Sequence, residues 1–150
     1  MKIIFVCAGN TCRSPMAEAI LKHKLKQTAL PKIMVSSAGL MVQEGSKIAQ
    51  NSQLALKQMG IKATGFKPKP LTLKMANKSS YIITMTESLK MALKGSKIKH
   101  YCSAKDFIGE DILDPYGMDL SVYIQTSKQI EKLVDVIIEK LLSDMRKGEL

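Results

Sequence analysis

Cysteine, histidine and aromatic residues are scarce in this sequence, and each shortage argues against a class of protein. Three cysteines, an odd number, argue against a disulfide framework. Two histidines and the lack of a Cys-x-x-Cys pair argue against structural zinc, so no metal and no cofactor is expected. Aromatic residues make up 5% of the chain, which leaves few side chains that could stack on nucleic-acid bases.

Long apolar runs are missing too. No run approaches the length of a membrane span, and the apolar run near the N-terminus is too short for a signal peptide and has no cleavage pattern after it. We therefore expect a cytoplasmic protein with no membrane partner. Its 150 residues are expected to form one domain, residues 1–150, with a core that needs no disulfide or metal.

Acidic residues are outnumbered, with 13 Asp and Glu against 23 Lys and Arg, for a net charge of +10. This balance suits an acidic or phosphorylated partner, and it would also suit nucleic acid. The lysines are scattered along the chain, and few aromatic rings accompany them. We interpret most of the charge as a solvated basic surface and expect no nucleic-acid partner.

One stretch, residues 7–15, combines a nucleophile with features that bind anions. The apolar residues before it predict a buried strand over 2–7. Ser14 and Pro15 predict the start of a helix, with Ser14 as the N-cap and Pro15 in the first turn. The backbone N–H groups and the positive helix end at such a strand–loop–helix corner bind anions.

Inside that corner, the thiolate form of Cys7 should be favoured. Arg13 offers a planar fork for two phosphate oxygens, and Gly9 is expected to permit a sharp turn. Alone, Cys7 would be read as a small buried hydrophobe and Arg13 as a surface charge. Their combination in one loop is far more specific, and it is neither a Walker loop nor a G-x-G-x-x-G loop.

Apolar periodicity predicts a single-domain α/β fold: a three-layer sandwich with a four-stranded parallel sheet, helices on both faces and a phosphate loop after strand one. The expected turn at Ser36–Gly39 ends the second strand, and residues 103–118 are expected to be loop-rich. Ligands of such sheets bind beyond the carboxyl ends of the strands, where Cys7 lies. The predicted strands are 2–7, 32–36, 81–85 and 97–101, and the predicted helices are 15–27, 46–59, 71–76, 87–94 and 120–146.

Residues 5–15 resemble the phosphate loop of the low-molecular-weight protein tyrosine phosphatase family. The resemblance continues through residues 36–39 (Ser-Ser-Ala-Gly) and 114–117 (Asp-Pro-Tyr-Gly), and it covers the whole chain in motif order and spacing. Thr11 and Gly117 resemble the bacterial protein-arginine phosphatase branch in particular. The resemblance implies a protein phosphatase that acts on phosphorylated proteins and is inhibited by inorganic phosphate or similar oxyanions.

The resemblance also implies the chemical roles. Cys7 would attack phosphorus to form a thiophosphate intermediate, while Arg13 and the loop N–H groups stabilise the charge on the equatorial oxygens. Asp114, before Pro115, would donate a proton to the leaving group and then accept one from water. An isolated Asp-Pro pair is more often just a turn. The competing aspartates in this part of the chain are Asp106, Asp111 and Asp119.

Supporting roles follow from the same resemblance. Asn10 would hold the loop in a strained shape, partly through Ser37, and Ser14 would hydrogen-bond the thiolate. Tyr116 would form one wall of the entrance. Cys12 would pair reversibly with the nucleophile under oxidation, or it would be a small packing residue. The residues expected to bind phosphate or substrate are Ala8, Gly9, Asn10, Thr11, Cys12, Ser14 and Tyr116.

Three departures from tyrosine-specific relatives favour phosphoarginine over phosphotyrosine. Gly117 stands where those relatives have a second aromatic residue, and Leu40 and Met41 bring no large ring after Ser-Ala-Gly. Thr11 replaces an apolar residue, and its hydroxyl can accept a hydrogen bond from a guanidinium. The alternative is that Thr11 only fills space, in which case phosphotyrosine is the substrate.

Two other functions fit the motif less well. An arsenate reductase would need a redox pair of cysteines further along the chain, where only Cys102 is found and residues 77–95 contain none. A non-catalytic phosphate-binding module would not need Cys7, Arg13 and Asp114 together.

Overall fold

The protein is described by a computed structural model that covers residues 1–79 and 81–150. In this part of the chain, a four-stranded parallel sheet has the order β2-β1-β3-β4. The strands are β1 (Lys2–Cys7), β2 (Met34–Gly39), β3 (Tyr81–Thr84) and β4 (Tyr101–Ser103). The helices are α1 (Arg13–Leu25), α2 (Gln50–Gln58), α3 (Leu73–Asn77), α4 (Glu87–Ala92), α5 (Ala104–Ile108) and α6 (Leu120–Arg146).

Strand β1 is central and buried on both faces, because its side chains alternate between two apolar clusters. Ile3 and Phe5 belong to the larger cluster, with residues of α1, α2 and α6. Ile4 and Val6 belong to the smaller one, which includes Ala76 of α3. The predicted α/β sandwich with helices on both faces is confirmed.

The last helix is confirmed as well, and it buries an apolar stripe. Helix α6 begins and ends as predicted, and it packs against α1, α2 and α5. The helices in the described residues include none that is long and apolar enough to cross a membrane. The stripe residues that are buried are Ile130, Leu133, Val134, Ile137, Ile138 and Leu141.

The predicted end of the second strand is wrong. Ser36, Ser37 and Ala38 do not turn but continue β2 to Gly39, because the strand keeps pairing with β1 as far as Cys7 opposite Gly39. This extension places the Ser-Ser-Ala-Gly motif directly beside the cysteine.

The predicted strand over 97–101 is shifted as well. Strand β4 begins at Tyr101, opposite Ile82, and His100 just before it has a left-handed backbone with φ +63°. The stretch expected to be loop-rich contains α5, which is stabilised by a capping box of Ser103 and Asp106.

The helix predicted over 46–59 begins only at Gln50. Ala49 lies before it and donates its N–H to the carbonyl oxygen of Thr11 at 2.9 Å, so this segment contacts the loop after β1 instead of extending the helix. Within the helix, Leu54 is exposed while Leu56 is buried. Helices α1, α3 and α4 differ from their predicted ends by one to two residues.

Candidate active site

The phosphate loop, residues 7–14, connects β1 to α1 at the carboxyl edge of the sheet. Helix α1 begins at Arg13, so the predicted N-cap role of Ser14 is wrong. The Ser14 hydroxyl has another function: its Oγ lies 2.8 Å from the Sγ of Cys7 and accepts a hydrogen bond from Asn10 Nδ2 at 2.8 Å. The cysteine therefore has a buried hydroxyl at hydrogen-bonding distance.

Asn10 makes the sharp turn in this loop. Its φ is +55°, whereas the sequence predicted the turn at Gly9, which is not among the positive-φ residues. Asparagine adopts the left-handed conformation more readily than most residues, and here its side chain holds it there. Its Nδ2 also donates to Ser37 Oγ at 3.0 Å, and its Oδ1 accepts the N–H of Lys69 at 3.0 Å.

A further layer behind the loop was not predicted from the sequence. Ser37 donates to Glu18 Oε1 at 2.9 Å, and Glu18 also pairs with Lys22 at 2.8 Å. Gly39 is needed for space, because a Cβ there would lie 2.6 Å from the carbonyl oxygen of Ala8. Glu18 lies one helical turn after Ser14, on the same side of α1. From the sequence, that spacing could have indicated that Glu18 lies near the loop.

Arg13 is buried and is joined to a distant loop. Its Nη1 donates to the carbonyl oxygen of Ile112 at 3.1 Å, and its Nη2 lies 3.6 Å from Oδ2 of Asp114. Asp114 Oδ1 in turn accepts the N–H of Tyr116 at 3.1 Å. The loop over 112–116 is thus held across the phosphate loop by the guanidinium of Arg13.

The other three aspartates have structural partners elsewhere. Asp111 accepts the N–H of Glu87 at 2.8 Å, and Asp119 caps α6. Asp106 pairs with Lys90 at 3.0 Å, and the hydrogen bond from the Ser103 N–H, followed by Lys90, lowers the pKa of Asp106. Of these four carboxylates, Asp114 is the one that lines the cavity described next.

A cavity of about 450 Å³ opens over the phosphate loop. Tyr116, which is 76% exposed, borders it, while Asn10, Ser14 and Ser37 lie behind its wall. The predicted site residues that line the cavity are Cys7, Ala8, Gly9, Thr11, Cys12, Arg13, Asp114 and Tyr116. Its lining residues that were missed are Met41, Gln43, Ser46, Lys47 and Ala49, which follow the carboxyl end of β2, the usual place for ligand contacts in such sheets.

Thr11 and Cys12 are positioned by helices packed against the loop. The Thr11 carbonyl oxygen accepts the Ser52 hydroxyl at 3.3 Å as well as the N–H of Ala49. Cys12 Sγ lies 3.3 Å from the hydroxyl of Tyr123 on α6, a contact not foreseen from the sequence. Burial, together with this contact to Cys12, raises the pKa of Tyr123, so its phenol keeps its proton.

Cys102 belongs to a different environment. It lies on β4, and burial raises the pKa of its thiol to about 11. It does not line the cavity, so it cannot serve as a resolving cysteine there without a rearrangement.

The parallel sheet and this cluster at its carboxyl edge define a class: a cysteine-dependent phosphatase. The family model of the low molecular weight phosphotyrosine protein phosphatases matches residues 2–147 of the chain. The chain belongs to that family and is a phosphoprotein phosphatase.

Relatives of both specificities are similar to the chain. A protein-arginine-phosphatase of Geobacillus stearothermophilus is 34% identical, over 95% of this chain and 97% of that protein. The low molecular weight protein-tyrosine-phosphatase PtpB of Staphylococcus haemolyticus is 32% identical, over 89% and 95%. The structure of a YwlE arginine phosphatase C7S mutant with a phosphorylated active-site serine superposes with a TM-score of 0.89, at 32% identity over 97% of this chain and 99% of that one. Overall identity therefore does not separate the two substrate classes.

Proposed function

We propose that the chain, as one catalytic domain over residues 1–150, hydrolyses phosphoarginine in cytoplasmic proteins. The observation that carries this proposal is the hydroxyl-bearing Thr11 in the cavity wall, at a position fixed by Ala49 and Ser52. A guanidinium presents N–H donors around a planar group, and a threonine oxygen can accept one of them. Tyr116 is the aromatic residue in the lining, and it is largely exposed. The ring of a phosphotyrosine substrate would therefore be little buried by aromatic contacts.

In the proposed first step, the Cys7 thiolate attacks phosphorus. The S–P bond forms as the P–N bond to the arginine breaks, and the leaving nitrogen takes a proton from the Asp114 carboxyl group. Ser14, at 2.8 Å from Cys7 Sγ, supports the thiolate as a hydrogen-bond donor, and Arg13 neutralises charge on the phosphoryl oxygens. The relative with a phosphorylated active-site serine supports a phosphoryl group carried on this loop.

In the second step, water attacks the thiophosphate. The Asp114 carboxylate takes a proton from that water, the S–P bond breaks, and inorganic phosphate and the Cys7 thiolate are released. The 3.6 Å pair with Arg13 supports this role, because it holds the carboxylate over the loop. Free phosphate would occupy the same cradle and inhibit.

The test is the ratio of kcat/KM on phosphoarginine and phosphotyrosine peptides of the same sequence. Thr11→Val keeps the shape of the side chain and removes the hydroxyl. It leaves one guanidinium donor unpaired, at about 1–3 kcal/mol, so kcat/KM on phosphoarginine should fall about 5- to 150-fold. Thr11→Ile should also raise the rate on phosphotyrosine, and Thr11→Ser, which keeps the hydroxyl, is the control. A wild type that prefers phosphotyrosine, or a ratio unmoved by Thr11→Val, would make the chain a tyrosine-type member.

A further inference from the structure

A second and larger depression adjoins the catalytic cavity. It has a volume of about 980 Å³ and lies between α2, with residues 45–48 before it, and residues 61–68 after it. Ser46 and Lys47 line both spaces, so the two border each other at these residues. We refer to this depression as the basic groove, after its four lysines: Lys47, Lys57, Lys62 and Lys67.

The charge in the basic groove is not compensated. Its lining contains those four lysines and, among the described residues, no aspartate or glutamate. Nor does any of the four take part in an ion pair within residues 1–79 and 81–150, unlike Lys24, whose Nζ lies 2.6 Å from Asp135. Positive charge concentrated in a depression attracts acidic partners more strongly than the same charge spread over a surface.

Apolar surface accompanies these charges. Leu54, which is 37% exposed, and the half-buried Phe66 both line the groove. Lysine heads beside such side chains suit a polypeptide that carries carboxylates and also offers apolar contacts.

The wall of the groove is attached to the catalytic loop. At one end, Ile61 is buried and donates its N–H to the carbonyl oxygen of Leu56 at 3.0 Å. At the other end, Lys69 donates its N–H to Asn10 and accepts the N–H of Gly39 at 2.9 Å. The backbone that carries Lys62 and Lys67 is therefore anchored at both ends, to α2 and to the phosphate loop.

We propose that the basic groove binds an acidic segment of the phosphoprotein substrate, next to the phosphorylated residue held in the catalytic cavity. The proposal rests on the proposed phosphatase function and adds a preference for acidic sequence. The groove borders the catalytic cavity at Ser46 and Lys47, which favours a substrate polypeptide over nucleic acid. Phe66 is the aromatic ring in the described lining, which leaves little on which successive bases could stack.

The test compares two variants with the same change in net charge. The groove variant is Lys57→Glu/Lys62→Glu/Lys67→Glu, which avoids the lining of the catalytic cavity. The matched control is Lys94→Glu/Lys97→Glu/Lys99→Glu, three exposed lysines before β4, at the opposite edge of the sheet from β2. Each protein is assayed on peptides with one phosphorylated residue and either Asp/Glu-rich or Ser/Gly flanks, and on a small aryl phosphate.

The groove variant should lose about 3- to 125-fold in kcat/KM on the acidic peptide, since each of three exposed charge pairs contributes a factor of about 1.4 to 5. Its rates on the neutral peptide and the aryl phosphate should match the wild type, and 0.5 M salt should remove the preference. Equal losses of kcat/KM in both variants, or no preference of the wild type for the acidic peptide, would contradict the proposed role of the groove. Neither result would contradict the phosphatase function. Tight binding of single-stranded DNA lost only in the groove variant would reassign the surface to nucleic acid. A wild type inactive on every substrate would instead contradict the proposed function.

Discussion

Arg13 and Asp114 lie far apart in the sequence, yet Nη2 of the buried guanidinium is 3.6 Å from Oδ2 of the aspartate. The pair is asymmetric, because the Arg13 side chain is 7% exposed and that of Asp114 is 56% exposed. An ion pair with so exposed a carboxylate contributes little to the free energy of unfolding. The pair is important for position, since it places the Asp114 carboxyl group at the rim of the phosphate loop.

Asp114→Asn should therefore affect catalysis and not folding. The amide cannot donate or accept the required proton, so kcat should fall by roughly 100-fold or more on substrates with poor leaving groups. The loss should be milder on an activated aryl phosphate, whose leaving group needs no proton. Asp111→Asn is the control, because Asp111 holds the Glu87 N–H and does not line the cavity. If Asp111→Asn is the damaging change and Asp114→Asn is silent, the wrong carboxylate has been assigned.

Cys7→Ser should reduce turnover to background. A serine hydroxyl is not ionised near neutral pH, so the thiolate nucleophile is lost while Arg13 and the loop N–H groups still bind oxyanions. Steady-state kinetics on an aryl phosphate and calorimetric binding of inorganic phosphate or vanadate measure the two properties separately. Cys102→Ser, on β4 and outside the cavity lining, should keep turnover in the same assays. Substantial hydrolysis by Cys7→Ser would contradict the assignment of the nucleophile.

Oxidation should inactivate the protein reversibly. Peroxide converts the Cys7 thiolate to a sulfenic acid, and the Cys12 thiolate then displaces hydroxide from it to form a disulfide. For that step, Cys12 must leave its 3.3 Å contact with the Tyr123 hydroxyl. A dithiol reductant should restore activity in the wild type and in Cys102→Ser, but much less in Cys12→Ser. Peptide mass mapping that finds sulfonic acid at Cys7 and no Cys7–Cys12 link would count against this prediction.

Cys102 should be inert to alkylation at neutral pH. Burial raises the pKa of its thiol to about 11, so at pH 8 roughly one molecule in a thousand carries the thiolate that reacts. The rate of labelling by iodoacetamide should rise about tenfold per pH unit up to that value. Mass spectrometry of Cys7→Ser/Cys12→Ser isolates the signal of Cys102. Rapid labelling at pH 7 would show that the thiol is more accessible than its place on β4 indicates.

Gly39→Ala should distort the phosphate loop. The added Cβ would lie 2.6 Å from the Ala8 carbonyl oxygen and 2.6 Å from Val42 Cγ2, so backbone at the loop must shift. We expect a loss of about 1–3 kcal/mol in the free energy of unfolding and a Tm lower by about 2–4 °C per kcal/mol. Gly9→Ala is the matched control, because the nearest atom to its added Cβ would be Thr11 Oγ1 at 3.7 Å. Equal melting temperatures for the two variants would show that the loop adapts without strain.

Local patterns made much of this protein predictable. Strand β1, the bounds of α6 and the start of α4 at residue 87 depend on near neighbours in the chain, and all three predictions are confirmed. The same is true of the phosphate loop after β1. Periodicity and capping chemistry act over a few residues, so they can be read directly from sequence.

Contacts between distant segments of the chain decided the features that were not predicted from the sequence. Strand β2 continues through Ser37 to Gly39 because β1 offers partners that far, and the residues that face Cys7 from β2 follow from that register. The left-handed turn falls on Asn10 and not on Gly9, because Ser14, Ser37 and Lys69 hold the Asn10 side chain from three separate segments. The sequence by itself determined the fold class and the loop after β1, and it predicted Cys7 as the nucleophile. Only the tertiary structure decided which carboxylate meets Arg13 and where a basic groove adjoins the cavity, since these contacts join segments whose separation along the chain leaves no local pattern.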